Sequence, residues 1–288
     1  MKTAPDDHRT KVDLLTTTKQ PPLPVPPRRS SDRTRHVLRD LLFVLALRDI
    51  KIKYKQSVMG LLWAVLMPAI IVGAGMLLRV AMAKMSGTQL SPDSLASIAV
   101  KALPWAFFVT AIRFATNSLT SNSNLVTKIN CPRIAFPAAA VVSALFDLGI
   151  ATIPLIAVLA WCGVTPSIAL LWVPVLLAVL VLFVSGLGIA FAAANLFYRD
   201  VKYIVEVILT FAIFFTPVLY EVEMLGEWQF WVLLNPIAPL LEGLRAAIVL
   251  QTSPDYGWLL YSTVVALLVF LGGWHLFYKL EPAFADSV

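Results

Sequence analysis

The chain has 288 residues, of which 59% are hydrophobic and only 14% are charged, and its mean hydropathy is +0.80. A water-soluble domain needs more polar surface than this composition supplies, so the sequence predicts a membrane protein. The net charge of +6 does not indicate nucleic-acid binding, because thirteen of the 23 Lys and Arg residues lie before Ser57.

The N-terminal part of the chain contains two segments of different composition. Residues 1–34 are rich in Pro and charge with little to bury, which predicts a disordered cytoplasmic tail. Residues 35–56 are ambiguous, because DIKIKYK alternates like a strand while Phe43, Leu47, Ile50 and Tyr54 recur at helical spacing. A lone strand beside a membrane would leave its backbone unpaired, so we predict an amphipathic helix in the headgroup region.

Six apolar stretches follow, at about 57–82, 100–122, 137–162, 168–194, 202–220 and 256–278. Each is long enough to cross roughly 30 Å of hydrocarbon as a helix. The apolar segment at about 222–252 is broken by Glu, Pro and Arg, and it predicts a re-entrant pair of short helices. The predicted fold is therefore an all-α polytopic membrane protein, with a transmembrane domain at 57–280 and a short cytoplasmic tail at 281–288.

Loop charge predicts the direction of these spans, because Lys and Arg are enriched on the cytoplasmic side. The N-terminal segment is basic, and the loops after spans two and four carry Lys128, Arg133, Arg199 and Lys202 against Asp200 alone. The opposite side carries Asp93, Glu221, Glu223, Glu227, Glu242 and Asp255 against Lys84, Lys101 and Arg245. The acids from Glu221 to Glu227 are interpreted as part of a solvated outer loop. Both termini are predicted to be cytoplasmic, in a multi-pass protein of the cytoplasmic membrane.

Motifs for several kinds of chemistry are missing from the sequence. It contains no Gly-Lys dipeptide, so it has no G-x-x-x-x-G-K-[ST] loop to bind nucleotide phosphates. Its three His residues are far apart and lack Cys or carboxylate partners at metal-binding spacing. We therefore expect no catalytic residues, metal site or cofactor in this chain.

Four charged residues fall inside the predicted spans, where each is costly in hydrocarbon: Arg79, Arg113, Asp147 and Glu206. Arg79 is near enough to an interface to snorkel. Glu206 is close in sequence to cations at the inner face and is expected to pair there. Arg113 and Asp147 are the deepest, and we expect them to pair with each other. An ion-coupled six-span carrier remains an alternative, as does a membrane-embedded enzyme that works without nucleotide.

Four motifs occur in the order and at the topological positions typical of one family. They are RDIKIKYKQSVMGLLWAVLMP (Tyr54, Ser57, Gly60, Trp63, Pro68), SNSNLVTKINCPRIAFP (Asn124, Lys128, Pro132, Arg133, Pro137), NLFYRDVKYI (Tyr198, Arg199, Asp200), and FFTPVLY with LLNPIAPLLEGLR (Thr216, Pro217, Tyr220, Asn235, Pro236, Arg245). Together they resemble the ABC-2-type permeases, especially those that export polysaccharides such as O-antigen, capsule and teichoic acid. The resemblance covers roughly residue 36 to the end.

The resemblance implies a half-transporter. Two copies would form the membrane pore, and two separate P-loop ATPase subunits would bind ATP and Mg²⁺ beneath it. It also implies an ATPase-coupling loop at about 124–136, with Asn124, Lys128, Pro132 and Arg133 as its contact residues. The cations and backbone-restricting prolines of that segment suit docking.

Three more residue sets are candidates on this basis. The lipid-head set is Arg48, Lys51, Lys53, Tyr54 and Lys55, chosen because Arg and Lys match phosphate. The cytoplasmic-loop set is Tyr198, Arg199 and Asp200. The pore and outer-gate set is Trp63, Phe215, Tyr220, Asn235 and Arg245. The function implied is ATP-driven export of a lipid-linked polysaccharide such as lipopolysaccharide O-antigen, with export of drugs or other lipids as the alternative within the family.

Overall fold

The structure is a computed structural model, and it describes residues 31–55, 60, 62–86, 92–128 and 132–285. The predicted disordered tail therefore lies, for residues 1–30, outside the described residues. The chain divides into two units, Met1–His36 and Val37–Val288, and every contact discussed below lies within the second.

The regular structure of the described residues is helical throughout, as predicted. The α-helices are α1 (Ser31–Lys55), α2 (Leu62–Ser86), α3 (Pro92–Ser121), α4 (Ser123–Lys128), α5 (Ala135–Trp161), α6 (Trp172–Phe197), α7 (Val201–Ala212), α8 (Gln229–Leu233), α9 (Ala238–Arg245) and α10 (Tyr256–Leu280). Short 3₁₀ segments at Ile168–Leu171, Val222–Trp228 and Glu281–Ala285 adjoin α6, α8 and α10. A π-helical turn at Ala246–Leu250 continues α9.

Five helices of the described part are long and apolar enough to cross a membrane, so this is a multi-pass membrane protein. They are α2, α3, α5, α6 with its preceding turn, and α10, and they match five of the predicted spans. The predicted span at 202–220 is instead the 12-residue α7 followed by turns. At 1.5 Å per residue, α7 is about 18 Å long, which is less than the hydrocarbon thickness.

The centre of the second unit is α3, which is mostly buried and packs on α2, α5, α6 and α9. Helices α6 and α10 approach each other closely at two glycines. A Cβ added to Gly186 would lie 2.6 Å from the backbone of Phe270, and one added to Gly273 would collide with the carbonyl oxygen of Gly186. Small residues allow such close approach of membrane helices.

The structure describes parts of both chain ends. Helix α1 runs from Ser31 to Lys55, so DIKIKYK is helical and the strand alternative is wrong. The predicted tail at 281–288 is packed through its first turn. Phe284 is fully buried, with its ring centre 5.2 Å from that of Phe277 and 5.7 Å from that of Phe197. Burial of this large apolar ring holds the segment against the helices.

Candidate functional site

Among the described residues, the largest group of linked ion pairs lies where α2, α3, α9 and the segment after residue 220 meet. This six-charge cluster consists of Arg79, Lys101, Glu221, Glu223, Glu242 and Arg245. Lys101 is fully buried, and its Nζ donates to Glu242 Oε1 at 2.9 Å and to the carbonyl oxygen of Tyr220 at 2.6 Å. Three cations face three carboxylates, so the cluster as a whole is neutral.

Arg245 is the most connected member of the cluster. Its Nη1 donates to both carboxylate oxygens of Glu223, at 3.0 and 3.2 Å, and to Glu242 Oε2 at 3.0 Å. Its Nε donates to Ser97 Oγ at 3.3 Å. Burial alone would raise the pKa of Glu223, but hydrogen bonds and the charge of Arg245 outweigh it and lower that pKa. Arg245 therefore ties the segment after residue 220 to α3 and α9.

The cluster overturns two predictions about single charges. Arg79 does not snorkel, because its side chain is only 8% exposed and its Nη2 lies 2.6 Å from Glu221 Oε1. Glu221 is not a solvated loop acid, since its side chain is 19% exposed, whereas Glu227 is exposed as predicted. The Glu242 side chain is 16% exposed. Buried charge in a membrane protein is retained only when it is paired, and here the partners come from distant segments.

A second polar contact joins α1 to α5. Lys53 Nζ and Tyr54 Oη donate to the two carboxylate oxygens of Asp147, and Lys53 Nζ also lies 4.8 Å from the centre of the Phe114 ring. Burial raises the pKa of Tyr54, and the contact with Asp147 raises it further. The predicted pairing of Asp147 with Arg113 is therefore wrong. Asp147 holds the end of α1 instead.

Two cavities open on either side of Lys53. One, of about 250 Å³, lies between α2, α3 and α5 and is lined by Trp63, Pro68 and Asp147 among others. The other, of about 380 Å³, is lined by Arg48 and by polar side chains of α3 and α5. Lys53 lines both cavities, with Trp63 in the first and Arg48 in the second, while Lys51 and Lys55 are exposed on α1.

A third ion pair joins α3 to α7. Arg113 Nη2 lies 2.6 Å from Glu206 Oε1, and Arg113 Nε donates to Glu206 Oε2 at 3.0 Å. The two side chains are 43% and 49% exposed. The predicted pairing of Glu206 with inner-face cations is wrong, because Arg113 occupies both of its oxygens. A half-exposed ion pair on a membrane-length helix needs water or another polar surface in front of it.

The predicted coupling residues surround the end of α4 and the start of α5. Arg133 is half-buried, its Nη1 donates to the carbonyl oxygen of Glu281 at 2.8 Å, and its guanidinium lies 5.8 Å from the Phe284 ring centre. Asn124 is exposed on α4 and Pro132 is partly buried. Lys128 ends α4, and its side chain lies outside the described residues.

The predicted cytoplasmic-loop residues, Tyr198, Arg199 and Asp200, form an exposed turn between α6 and α7. The sequence analysis missed the residue that holds this turn. Asn195 is buried, donates to the carbonyl oxygen of Thr116 at 3.0 Å, and accepts from the backbone N–H of Lys202 at 3.1 Å. Asn195 is the only amide side chain in α6, and this was the available signal.

The predicted outer-gate residues separate into two places. Tyr220, Asn235 and Arg245 lie near one another, and Asn235 Nδ2 donates to Thr216 Oγ1 at 2.9 Å and to the carbonyl oxygen of Phe215 at 3.4 Å. Phe215 itself is 72% exposed. Trp63 lies with Lys53, away from this group. Within the described part of the chain, no group of three or more His, Cys, Asp or Glu could hold a metal ion.

Comparison with known protein families identifies the family of this chain. Residues 40–249 match the family described as ABC-2 type transporter, which is more than half of the chain.

The chain belongs to the ABC-2 type transporter family.

Several relatives of this ABC-2 transporter carry the same name. Two from Klebsiella pneumoniae are called O-antigen export system permease protein RfbA. One is 31% identical over 254 residues and the other 29% identical over 253, and each alignment covers 86% of this chain and 94% of the relative. A protein of that name from Myxococcus xanthus is 27% identical over 260 residues, covering 89% of this chain and 98% of the relative.

Proposed function

We propose that this ABC-2 transporter is the permease subunit of an ATP-driven exporter, and that it moves a lipid-linked polysaccharide such as O-antigen across the cytoplasmic membrane. The observation that carries the proposal is the similarity over 86% or more of the chain to permeases named for O-antigen export. The family match at residues 40–249 includes all six residues of the charge cluster, together with Lys53, Asp147, Arg113 and Glu206. Export of drugs or of other lipids is the alternative within the family.

The permease works as a homodimer in this proposal. The Arg113–Glu206 pair is nearly half exposed, although Arg113 lies on a membrane-length helix. The exposed face of α7 also carries Tyr203, Ile204, Val207, Ile208 and Phe211. A second copy packed on this apolar face would cover it and would place the ion pair beside a polar path between the copies. A lipid-facing ion pair would be costly.

The segment from α7 to Tyr220 forms a further crossing, which brings the total to six. Glu206 contacts Arg113, and the carbonyl of Tyr220 contacts Lys101. Arg113 and Lys101 both belong to α3 and are twelve positions apart. Twelve helical residues correspond to about 18 Å, so 206–220 covers much of the membrane depth beside α3. Six crossings put both termini on one side, and the basic N-terminal segment assigns that side to the cytoplasm. The segment 222–252 then returns to the outer face as a re-entrant pair.

Two separate ATPase subunits bind ATP and Mg²⁺ and supply the energy for export. ATP binding is assigned to them because this chain lacks the P-loop motif. They dock on the loop at 124–136, through Asn124, Lys128, Pro132 and Arg133, and beside the turn at Tyr198, Arg199 and Asp200. Arg133 is bonded to the carbonyl of Glu281 and lies over Phe284, so movement of this loop would reach the end of α10. Such coupling would act by shear between packed helices.

The lipid head group binds at the C-terminal part of α1. In this proposal α1 lies as an amphipathic helix in the headgroup layer of the inner leaflet. Arg48 and Lys53 line the cavities there, and Lys51 and Lys55 are exposed beside them. Lysine and arginine suit a phosphate or diphosphate group. We expect Lys51→Glu with Lys55→Glu to reduce export while leaving the Lys53–Asp147 contact in place. Lys84→Glu, an exposed lysine on α2, is the matched control.

The experiment is purification of the tagged chain from its own cells, followed by identification of what accompanies it. Recovery of a P-loop ATPase at about one copy per permease, with intracellular lipid-linked glycan accumulating when the chain is deleted, supports the proposal. A chain recovered alone even after cross-linking would overturn it and favour an ion-coupled carrier. ATPase recovery without glycan accumulation would favour another exported lipid or drug.

A further inference from the structure

A third cavity, of about 380 Å³, lies beside the six-charge cluster, and the function above does not use it. Its walls come from the 3₁₀ segment Val222–Trp228, from α8 and α9, and from the start of α10. In the topology proposed above this is the outer face, opposite the end where Arg133 lies. A concave site of this size with a few polar groups is typical of small-ligand binding.

One wall of the cavity is aromatic. The rings of Phe230 and Trp258 meet at 60° with centres 5.8 Å apart, and Trp258 meets Tyr261 at 90° with the same spacing. Tyr261 Oη donates to the carbonyl of Leu234 at 2.7 Å, which holds this ring in place. Phe230 remains 52% exposed, so part of the wall is free to receive a ligand. The apolar C–H face of a pyranose packs on such a surface.

The wall facing these rings carries fixed hydrogen-bonding groups. Glu223 is held at both oxygens by Arg245, yet its side chain is 65% exposed. An ionised carboxylate has about four acceptor positions, so Glu223 can still accept from hydroxyl groups in the cavity. Gln229 also lines the cavity and adds an amide donor and acceptor. Asp255 is fixed by the backbone N–H groups of Gly257 and Trp258.

Charge narrows the class of ligand. Glu223, Glu242 and Asp255 line the cavity together with Arg245. The six-charge cluster behind the lining is neutral, so Asp255 gives this region a net negative charge. A sugar that carries a carboxylate or phosphate would meet repulsion there, while neutral hydroxyl groups would find acceptors. Aromatic stacking together with an excess of acceptors suits an uncharged hexose.

We propose that this cavity is a binding subsite for neutral hexose units of the exported glycan, in contact with Trp258, Phe230 and Glu223. The subsite rests on the proposed function for its glycan, but the binding itself requires neither ATP nor transport. It would hold the polymer at the outer end and limit its return.

The test is saturation-transfer NMR on the full-length chain in lipid nanodiscs. The probes are the methyl glycosides of glucose, galactose, mannose and rhamnose, with methyl glucuronide as the charged comparison. We expect signal from at least one neutral glycoside, strongest on its ring C–H protons. Trp258→Ala should reduce that signal by about fivefold, the scale of one aromatic contact. Trp228→Ala changes an exposed tryptophan that belongs to the Val222–Trp228 segment but does not line the cavity, and it should leave the signal within about twofold.

Three results would overturn the subsite: no signal from any neutral glycoside, full signal in Trp258→Ala, or equal signal from the glucuronide. If Trp258→Ala does not fold, Gln229→Ala tests the same cavity, because Gln229 is exposed and its loss should still weaken binding severalfold. The two proposals fail separately. Glycan accumulation on deletion without glycoside binding removes only the subsite, whereas glycoside binding in a chain that has no ATPase partner removes only the exporter.

Discussion

Replacing Lys101 by Met should destabilise this protein more than almost any other single change of charge. The Lys101 side chain is fully buried in α3, and its ammonium group bonds both Glu242 and the carbonyl of Tyr220. Met preserves the apolar stem but leaves that carbonyl without this donor and gives the cluster a net negative charge. Removing one partner of a buried pair costs about 3–5 kcal/mol, so we expect a loss in that range.

A double-mutant cycle isolates the electrostatic part. Glu242→Gln alone leaves a net positive charge in the cluster, and it should also cost about 3–5 kcal/mol. The pair of changes restores neutrality, so the double variant should be more stable than the sum predicts by about 1–3 kcal/mol. The double variant should still be less stable than the parent, because Arg245 loses its ion pair with Glu242.

The assay is denaturant unfolding of the full chain in detergent micelles, followed by tryptophan fluorescence. Glu227→Gln is the matched control, because Glu227 is an exposed acid of the same segment and should change stability by less than about 0.5 kcal/mol. The reasoning is refuted if Lys101→Met lies within about 1 kcal/mol of the parent, or if the double variant is additive within about 0.5 kcal/mol.

Three shorter predictions follow from other contacts. Asp147→Asn should bring the raised pKa of Tyr54 down towards its ordinary range, seen by ultraviolet titration; an unchanged titration would contradict the α1–α5 contact. Gly186→Val should separate α6 from α10 and lower the thermal midpoint or prevent folding, whereas Gly149→Ala, with nothing within 4 Å, should be tolerated. The pKa of Glu223 is lowered in the folded protein, so ionised Glu223 stabilises the fold at pH values above the ordinary carboxyl pKa. This stabilisation is lost as the pH falls through the lowered pKa. Glu223→Gln should therefore reduce the loss of stability at acid pH, measured as the free energy of unfolding against pH.

Local composition was enough to predict most of the helices. Long apolar runs have few stable structures in a membrane other than helices, because every backbone group must be paired internally. Five such runs became membrane-length helices close to the predicted limits. The apolar run at 202–220 is an exception. It is as apolar as the five membrane-length helices, but only Val201–Ala212 is regular α-helix. Hydropathy reports the environment of a segment and does not specify its backbone hydrogen bonding.

The charged residues show which features can be predicted from the sequence and which depend on helix packing. The sequence shows that Arg113, Asp147 and Glu206 stand in apolar surroundings, and physics then requires each to find a partner. It does not show which partner, because that depends on how helices far apart in the chain are placed side by side. Asp147 binds Lys53 across 94 positions. Lys101 binds Glu242 across 141 positions. Helix formation is decided over a few neighbouring residues, whereas ion pairing is decided by the packing of the whole bundle.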